Sequence, residues 1–583
     1  MPDDVQTPRP PSDPDPAEPR AIREIADRYV LALADLDPIL ATSLGLRPGE
    51  DRLPNLSPAG EEARDALARA TIAELDSALS AAAQAGREPA GDERRCARLL
   101  RERLEADLAM SAQGEHLCAV SNILGPTHRV RNSLLDMPAA TDDDWAAIGR
   151  RMARVPVALA QYRESLEEGV RRGVTAGPRV TSAVAEQLGE WAAAAGGRGW
   201  FAEFADAADV PAPLRADLDR AGTAAGQAVC ELGHWLGTKY LASTADRPDG
   251  VGADRYRTCA RRWTGANLDL ADAYAWGWSQ FLALQAEMAS EAGQVLPGAT
   301  AAQAMAHLDE AGPAIDGVEE IRRWLQDMMD AAISDLDGTH FDLAEPLRTV
   351  EARIAPPGSA AAPYYTGPSQ DFSRPGRTWL PTLGKTRFPL WGLVSTWYHE
   401  GVPGHHLQLA QWRYLSDALS MYQTSVGGVS ACSEGWALYA ERLMDELGYL
   451  SLPGARLGYL DAQNMRAIRV VIDIGMHAGL RVPDDSPLGA GQTWTPDLAL
   501  EFFCASCGRP REFLASEVIR YLGNPGQAIS YKLGERAWLD GRAAARAAHA
   551  ARGSDFDLKS WHMAALSLGA LGLDDLAGEL AAL

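Results

Sequence analysis

AIREIADRYVLALADL (residues 21–36) and GEEARDALARATIAELDSALSAAAQ (residues 60–84) place Leu, Ile and Ala at intervals of three and four residues, the period of an amphipathic helix. Segments containing Gly, Pro or Asp, such as residues 46–60, separate these stretches and predict turns between helices. Alternation typical of strands is scarce, and its best example, Leu347–Pro356, is expected to form a short hairpin or small sheet. The sequence therefore predicts a mainly α fold with at most a small β-sheet.

Composition divides the chain into three parts. Residues 1–18 are rich in Pro, Asp and Ser and predict a disordered tail. Residues 19–345 predict an N-terminal helical region, and residues 346–583 a second helical region that carries the candidate chemistry. We expect the two helical regions to form one continuous body, because a helical enzyme of this length can have a single core.

Charge and cysteine content exclude several functions. With 55 Lys and Arg against 79 Asp and Glu, the 583-residue chain has a formal net charge of −24. This charge argues against binding of nucleic acid or anionic membrane, since both need excess basic residues. No apolar run approaches the ~18–20 residues of a membrane span, and no secretory signal is recognisable. The seven scattered cysteines are typical of a cytoplasmic protein, and we expect Cys504 and Cys507 to be ordinary buried thiols.

The segment YHEGVPGHH, residues 398–406, contains the only His-Glu and the only His-His dipeptide of the chain. In a HExxH helix, two histidines four residues apart hold zinc, and the glutamate handles the water. Here Pro403 occupies the position of the second histidine, and the next imidazoles are His405 and His406. On an unbroken helix, the first of these points about 240° away from His399, and the second lies about 10.5 Å further along the axis. Either one can reach His399 only if the helix is interrupted.

Pro403 and Gly404 supply such an interruption. Proline lacks the N–H that would bond the carbonyl of His399, and glycine permits unusual backbone dihedrals. We predict a helix, a bulge over Gly401–Gly404 and a resumed helix, which brings one of the paired histidines back beside His399. Three histidines and a glutamate within eight residues favour a metal site over histidines that only hydrogen-bond in the core.

The third metal ligand is predicted in SEGWALYAE, residues 433–441. This segment predicts a helix capped by Ser433, with Glu434 in its first turn. We predict that Glu434 binds the metal, rather than only favouring the helix dipole, and that water takes the fourth position. Glu441, two turns later on the same side, is predicted to accept a hydrogen bond from a ligand imidazole or to be a surface charge. The ligand types favour one Zn²⁺ per chain.

The segment DAQNMRAIRVVIDIGMHAGL, residues 461–480, predicts a buried helix with one polar stripe. Arg466, Arg469, Asp473 and His477 project within a sector of about 80°, while the remaining surface is apolar or small. An ion pair between Arg469 and Asp473 is one interpretation, and Arg469 is also a candidate for substrate binding. His477 is predicted to donate a hydrogen bond to substrate or to a charged transition state.

Two further helices are predicted in REFLASEVIRYLGNPGQAISYKLGERAW, residues 511–538. The hydroxyl of Tyr531 is a candidate for stabilising the oxyanion formed when water attacks a carbonyl. Arg520 or Lys532 is predicted to receive a substrate carboxylate. His406 completes the set of candidate substrate-binding residues.

The C-terminal half resembles the bacterial domain-of-unknown-function 885 (DUF885) family. The resemblance rests on four segments in this order: WYHEGVPGHHLQ, SEGWALYAE, RVVIDIGMH and YLGNPGQAISYKLG. The family looks like a branch of the gluzincin-like zinc metallopeptidases, and the resemblance is most specific over residues 364–534. It implies an elongated, mostly α body with a deep cleft, similar to thimet-oligopeptidase and carboxypeptidase-Taq types, and hydrolysis of peptide or amide bonds. Matching Gly404-His405 to the Gly-His of oligopeptidase helices implies that His405 is the second ligand. The segment from Glu434 to Trp436 likewise resembles the one that gives aminopeptidases their third ligand.

These features together predict a zinc-dependent hydrolase with His399, His405 and Glu434 as metal ligands. Glu400 is expected to take a proton from water whose pKa the zinc lowers, and to deliver it to the leaving amine. One alternative is the same chemistry on a small N-acyl or amide metabolite in natural-product biosynthesis, and another is a catalytically silent helical binding protein. The expected partner is a peptide or small amide, with no nucleic acid and no membrane; a homodimer is one option for the oligomeric state.

Overall fold

The computed structural model of the protein describes residues 21–356 and 362–583, and the predicted mainly α fold is confirmed. The predicted disordered tail, residues 1–18, lies outside the described residues. The helices up to residue 336 are α1 Ala21–Leu36, α2 Pro38–Ser43, α3 Pro58–Gln84, α4 Gly91–Ala112, α5 Pro126–Asn132, α6 Asp142–Met152, α7 Val155–Arg172, α8 Pro178–Gly197, α9 Trp200–Asp206, α10 Ala212–Trp235, α11 Leu241–Thr244, α12 Ala253–Thr264, α13 Leu270–Val295, α14 Ala301–Ala311 and α15 Val318–Leu336.

The later helices carry the residues of the candidate site. They are α16 Val394–Glu400, α17 His405–Tyr414, α18 Met421–Thr424, α19 Ser430–Glu446, α20 Ala455–Ala478, α21 Pro496–Ser506, α22 Arg511–Gly523, α23 Ser530–Arg552, α24 Leu558–Leu566 and α25 Leu573–Ala582. Helices of both groups bury their apolar faces in one hydrophobic core that extends from Ile22 to Leu580. Within the described ranges, no helix combines the length and the apolar character of a membrane span.

Five short strands form two small sheets among the described residues. The strands are β1 Ala314–Asp316, β2 Val350–Ile354, β3 Tyr364–Thr366, β4 Gly376–Leu380 and β5 Arg387–Pro389. β1 pairs with β5 in antiparallel register, and the second sheet has the order β2-β4-β3. The small sheet expected at Leu347–Pro356 is therefore confirmed. It is not a hairpin, because β4 lies between β2 and β3 and runs parallel to β2.

The centre of the core is α20, as its apolar sequence predicts. Every residue from 457 to 477 is buried, including the polar stripe. Neighbouring helices α19 and α23 pack closely, since a Cβ atom on Gly435 would lie 2.3 Å from the carbonyl carbon of Gly534. This close contact fixes the position of α19, which carries two glutamates of the candidate site. Cys504 and Cys507 are free thiols that are half-buried rather than buried.

Candidate metal centre

Three predicted ligand residues converge from three helices. His399 lies near the end of α16, His405 begins α17, and Glu434 lies on α19. One ligand atom of each lies within 4.8 Å of the others, and Glu434 Oε2 is 3.3 Å from His399 Nε2 and 3.5 Å from His405 Nε2. Tetrahedral zinc with bonds of about 2.05 Å places its ligand atoms about 3.3 Å apart. The spacing of the glutamate to both imidazoles therefore fits a zinc-sized cation.

The break between α16 and α17 produces this convergence. α16 ends at Glu400 and α17 begins at His405, so the predicted interruption over residues 401–404 is confirmed. The Gly404 N–H donates to Tyr398 O at 3.1 Å, and a Cβ atom on Gly404 would lie 2.0 Å from His399 O. Only glycine permits this close approach of the resumed chain to the preceding turn. The structure brings His405, rather than His406, beside His399, with ring centroids 4.8 Å apart.

Helix α19 begins earlier than its sequence suggests. The sequence predicts Ser433 as its cap, but the helix starts at Ser430 after Val429, and the Ser433 N–H donates to Val429 O at 3.2 Å. Glu434 therefore lies in the second turn rather than the first, where the helix dipole has little influence. The indole N–H of Trp436 donates to Pro403 O at 2.9 Å. This bond ties α19 to the interruption and so relates Glu434 to the two histidines.

Glu441 orients the first of these imidazoles. Its Oε1 is 2.8 Å from His399 Nδ1, while its Oε2 accepts a hydrogen bond from the Ser395 hydroxyl. Nη2 of Arg466 lies 3.7 Å from the same Oε1. A carboxylate on the remote nitrogen fixes the tautomer and the ring orientation of a histidine that binds metal. The geometry matches the predicted acceptor role, and complete burial excludes the alternative of a surface charge.

The donor set itself is suited to a cation. Glu434 Oε2 is buried and makes no hydrogen bond to any described residue. Burial acts to raise the pKa of Glu434, but the imidazoles of His399 and His405 outweigh it and the pKa is lowered. A buried ionised oxygen without a donor is costly unless a cation satisfies it. The two nitrogens and one oxygen therefore fit the predicted zinc ion, and they leave a fourth coordination position for water.

Glu400 is the last residue of α16 and follows the first candidate ligand directly. Its side chain is 8 % exposed, and the electrostatic environment of its carboxylate includes His399, His405, Glu434 and Arg466. Burial raises the pKa of Glu400, and the nearby positive groups act in the opposite direction. A carboxylate whose pKa is raised above its ordinary value accepts a proton more readily, as a general base requires.

Two candidate residues are remote or enclosed, and the structure contradicts their expected contacts with substrate. His477 lies eleven residues beyond Arg466 on α20, about 16 Å along the helix axis. Its Nδ1 accepts from Val251 N at 3.3 Å and its Nε2 donates to Tyr521 O at 3.1 Å, so neither nitrogen is free for an oxyanion. The ring of His406 lies between the hydroxyl of Tyr365 and Leu347 O, at 3.0 and 2.9 Å.

The expectation for Lys532 is also wrong. Its ammonium group is completely buried and donates to Gln463 on α20 and to Glu535, one turn later on its own helix α23. A lysine that is completely buried and bonded to a carboxylate and an amide stabilises helix packing, and its ammonium group is not accessible to a substrate. The sequence does not reveal this, because a lysine at the start of an amphipathic helix is normally solvated.

Arg469, Arg520 and Tyr531 lie together. Arg469 and Arg520 both donate to Glu517, and the guanidinium carbon of Arg469 is 4.7 Å from the centre of the Tyr531 ring. The suggested ion pair between Arg469 and Asp473 does not form. Asp473 instead accepts hydrogen bonds from the hydroxyl of Tyr256 and the N–H of Gly526.

Sequence reasoning missed two residues beside the candidate ligands. Arg466 belongs to the predicted polar stripe but has no predicted role, and the sequence gives no prediction for Ser395. Arg466 also has a buried Nε without a hydrogen-bond partner among the described residues. The sequence does indicate a role for Arg466, since this residue precedes Arg469 by one helical turn on the same polar face. The contact of Ser395 with Glu441 depends on tertiary packing and had no sequence signal.

The fold and the site define a mainly α protein with a His–His–Glu cluster in which His399 is buried and His405 and Glu434 are partly buried. The chain belongs to a family described as bacterial protein of unknown function (DUF885), whose model matches residues 38–580. A solved structure of a candidate lipoprotein from Colwellia psychrerythraea is 21% identical with a TM-score of 0.79, covering 96% of this chain and 98% of that chain. A candidate lipoprotein of unknown function from Shewanella oneidensis is 18% identical with a TM-score of 0.70, covering 96% and 99%. These likenesses show the fold alone. No match was found among curated proteins.

Proposed function

We propose that the protein is a zinc-dependent hydrolase of peptide or amide bonds. One observation carries the proposal: a buried glutamate oxygen without a hydrogen-bond donor lies 3.3 and 3.5 Å from two imidazole nitrogens. His399, His405 and Glu434 would hold the ion. Zinc bound there supplies a Lewis acid for the scissile carbonyl and lowers the pKa of water. A hydrolase needs both effects, because water at neutral pH is a weak nucleophile.

The chain's own residues divide the remaining tasks. Glu400 takes a proton from the attacking water and delivers it to the leaving amine. Glu441 holds the ring of His399 through Nδ1, so that Nε2 faces the other two ligands. Tyr531 is half-buried on α23. Because both ring nitrogens of His477 are engaged, Tyr531 remains the candidate for donating a hydrogen bond to the oxyanion.

Metal analysis of purified protein tests the zinc site. Wild-type protein is expected to retain about one zinc per chain, and His399→Ala to lose it, because two ligands no longer hold the ion tightly. His406→Gln is the matched control, since this neighbouring histidine faces away from the cluster and its replacement should leave the zinc content unchanged. Absence of a transition metal from the wild type after zinc reconstitution, or equal zinc in all three proteins, would exclude the site.

Substrate assays separate the catalytic alternatives. Hydrolysis of short peptides supports a peptidase, whereas hydrolysis restricted to N-acyl amino acids supports an amidohydrolase that acts on a small metabolite. A silent binding protein predicts no turnover with either set, and no change in cellular function when Glu400 is replaced by Gln.

We propose the cytoplasm as the compartment, because none of the seven cysteines forms a disulfide. The two similar structures are those of candidate lipoproteins, which makes attachment to a membrane the competing location. Fractionation of cells followed by detection of the full-length protein distinguishes the two. Light scattering of purified protein measures the oligomeric state, for which a homodimer is one option.

A further inference from the structure

Arg469 on α20 and Arg520 on α22 share one carboxylate. Nη2 of Arg469 lies 2.7 Å from Glu517 Oε2, and Nη2 of Arg520 lies 2.9 Å from the same oxygen. The hydroxyl of Tyr521 donates to that oxygen as well, at 2.8 Å. We call Arg469, Arg520, Glu517 and Tyr531 the arginine cluster. A single oxygen thus receives three donors, and the two guanidinium groups have only one carboxylate between them.

The arginine cluster therefore has an excess of positive charge in a mostly buried place. Two positive groups against one negative group leave a net charge of +1, while the side chains of Arg469 and Arg520 are only 7% and 12% exposed. Nε of Arg520 is buried and has no hydrogen-bond partner among the described residues. An unbalanced buried charge is unfavourable, so a second anion would stabilise the cluster.

Neighbouring carboxyl groups are engaged elsewhere. Asp461 lies 3.1 Å from Nε of Arg509, so that this nearby arginine is balanced by its own partner. Asp473 forms no ion pair with either arginine of the cluster, because its carboxylate accepts hydrogen bonds from the hydroxyl of Tyr256 and the N–H of Gly526. Neither carboxyl group therefore forms a direct ion pair with Arg469 or Arg520, whose shared partner is Glu517.

Helix α20 connects the cluster to the candidate metal ligands. Arg466, one turn before Arg469 on α20, is 3.7 Å from Glu441, which contacts His399. Arg469 lies three residues after Arg466, so it is about 4.5 Å further along the axis of α20. One residue of an extended peptide spans a similar distance, about 3.3–3.6 Å. The ring of Tyr531 covers the guanidinium of Arg469 and reaches it from α23, which packs on the helix of Glu434.

We infer that the arginine cluster binds a free carboxylate of the substrate. The enzyme would then act near the C-terminus of peptides that have a free C-terminal carboxylate, or on N-acyl amino acids. This inference rests on the proposed hydrolase function and specifies its substrate class. Guanidinium groups form charge-assisted hydrogen bonds to carboxylates, and a carboxamide offers neither the charge nor the second acceptor oxygen. Arg520 supplies the free donor, and Arg469 and Tyr531 supply a rigid surface beside it.

The test compares acetyl-trialanine with its C-terminal amide. For zinc-loaded wild type, kcat/KM is expected to be at least about tenfold higher for the acid, and calorimetry with zinc-depleted protein should show tighter binding of the acid. Arg520→Gln should remove both preferences. Arg442→Gln is the matched control, because Arg442 on α19 also donates to a buried glutamate, Glu535, but lies outside the cluster; it should keep both preferences.

Each outcome separates the inference from the proposed function. If wild type cleaves and binds acid and amide equally, the carboxylate site is wrong and the hydrolase stands. If the acid binds preferentially but neither peptide is cleaved, the carboxylate site stands and the peptidase does not. If Arg520→Gln reduces kcat/KM equally for acid and amide, the arginine only supports the fold, and the inference is overturned. Failure of both peptides to bind overturns it as well.

Discussion

The two ends of the polar stripe on α20, Arg466 at one end and His477 at the other, have different surroundings. Arg466 lies 3.7 Å from Glu441, and its buried Nε has no hydrogen-bond partner among the described residues. Both ring nitrogens of His477 contact backbone groups, the N–H of Val251 and the carbonyl of Tyr521. Spare hydrogen-bonding capacity beside candidate ligands favours a functional role, whereas saturation by backbone favours an architectural one.

A change at the Arg466 end should have the largest effect. Glu400→Gln is expected to lower kcat by about 10²–10⁴-fold, because the amide cannot accept a proton from water. Zinc content should stay at the wild-type level, since Glu400 is not a ligand. Steady-state kinetics with a cleaved peptide and metal analysis of the same sample give both values.

Glu287→Gln on α13 is the control for this variant, because its side chain is about half exposed and pairs with Arg456. Wild-type turnover in Glu400→Gln would contradict the general-base role. Equal losses of turnover in both variants would show that the assay reports protein quality and not chemistry.

The fold and the local convergence could largely be predicted from the sequence. The period of the apolar residues indicates α helices, and Pro403 and Gly404 indicate the interruption that returns a histidine to His399, because proline and glycine act through local backbone constraints. Spacing alone left His405 and His406 as alternatives. The choice depends on which imidazole faces α19, and this is set by tertiary packing.

The partners of buried polar residues could not be predicted. Helical periodicity places Arg469 and Asp473 on one face, but it does not reveal that Glu517 and Tyr256 approach from other helices. The same limit explains the wrong expectation for Lys532, whose partners Gln463 and Glu535 complete its burial. Side-chain chemistry predicts that a buried charge needs a partner, and only the fold identifies that partner.

Asp473 lies one turn before His477 on α20, and Asp473→Asn should change the pH dependence of stability. Burial raises the pKa of Asp473 to about 7 from its ordinary 3.8, so the folded state binds this proton more tightly than the unfolded state. The contribution of Asp473 to stability is full below about pH 4 and is lost as pH rises through 7. The difference approaches ~4 kcal/mol, at about 1.4 kcal/mol for each of roughly three pKa units.

Chemical unfolding at pH 5 and pH 8 measures this effect. The wild-type midpoint should fall more between the two values than the midpoint of Asp473→Asn, which keeps an acceptor for Tyr256 and Gly526. Asp254→Asn, at a fully exposed carboxylate on α12, is the control and should follow the wild type. Parallel curves for all three proteins would show that the carboxyl is ionised at both pH values.

At the Arg466 end, Glu441→Gln should weaken zinc binding by about 10–100-fold while the fold remains intact. The neutral amide is a poorer acceptor for His399 Nδ1 than the carboxylate, so the imidazole becomes a weaker ligand. Competition with a chelating dye measures the affinity. Glu446 on the same helix is 42% exposed and pairs with Arg542, so Glu446→Gln is the control and should bind zinc as the wild type does. Unchanged affinity in Glu441→Gln would assign Glu441 to helix packing alone.

The smallest effect on turnover is expected for His477→Leu. The substitution leaves the N–H of Val251 and the carbonyl of Tyr521 without their partner, which should lower the free energy of unfolding by about 1–3 kcal/mol. kcat should remain close to the wild-type value, because the ring lies about 16 Å along α20 from Arg466. Kinetics and chemical unfolding of one preparation measure both. A loss of kcat comparable to that of Glu400→Gln, without a loss of zinc, would mean that substrate extends along the whole stripe and that both ends of α20 are functional.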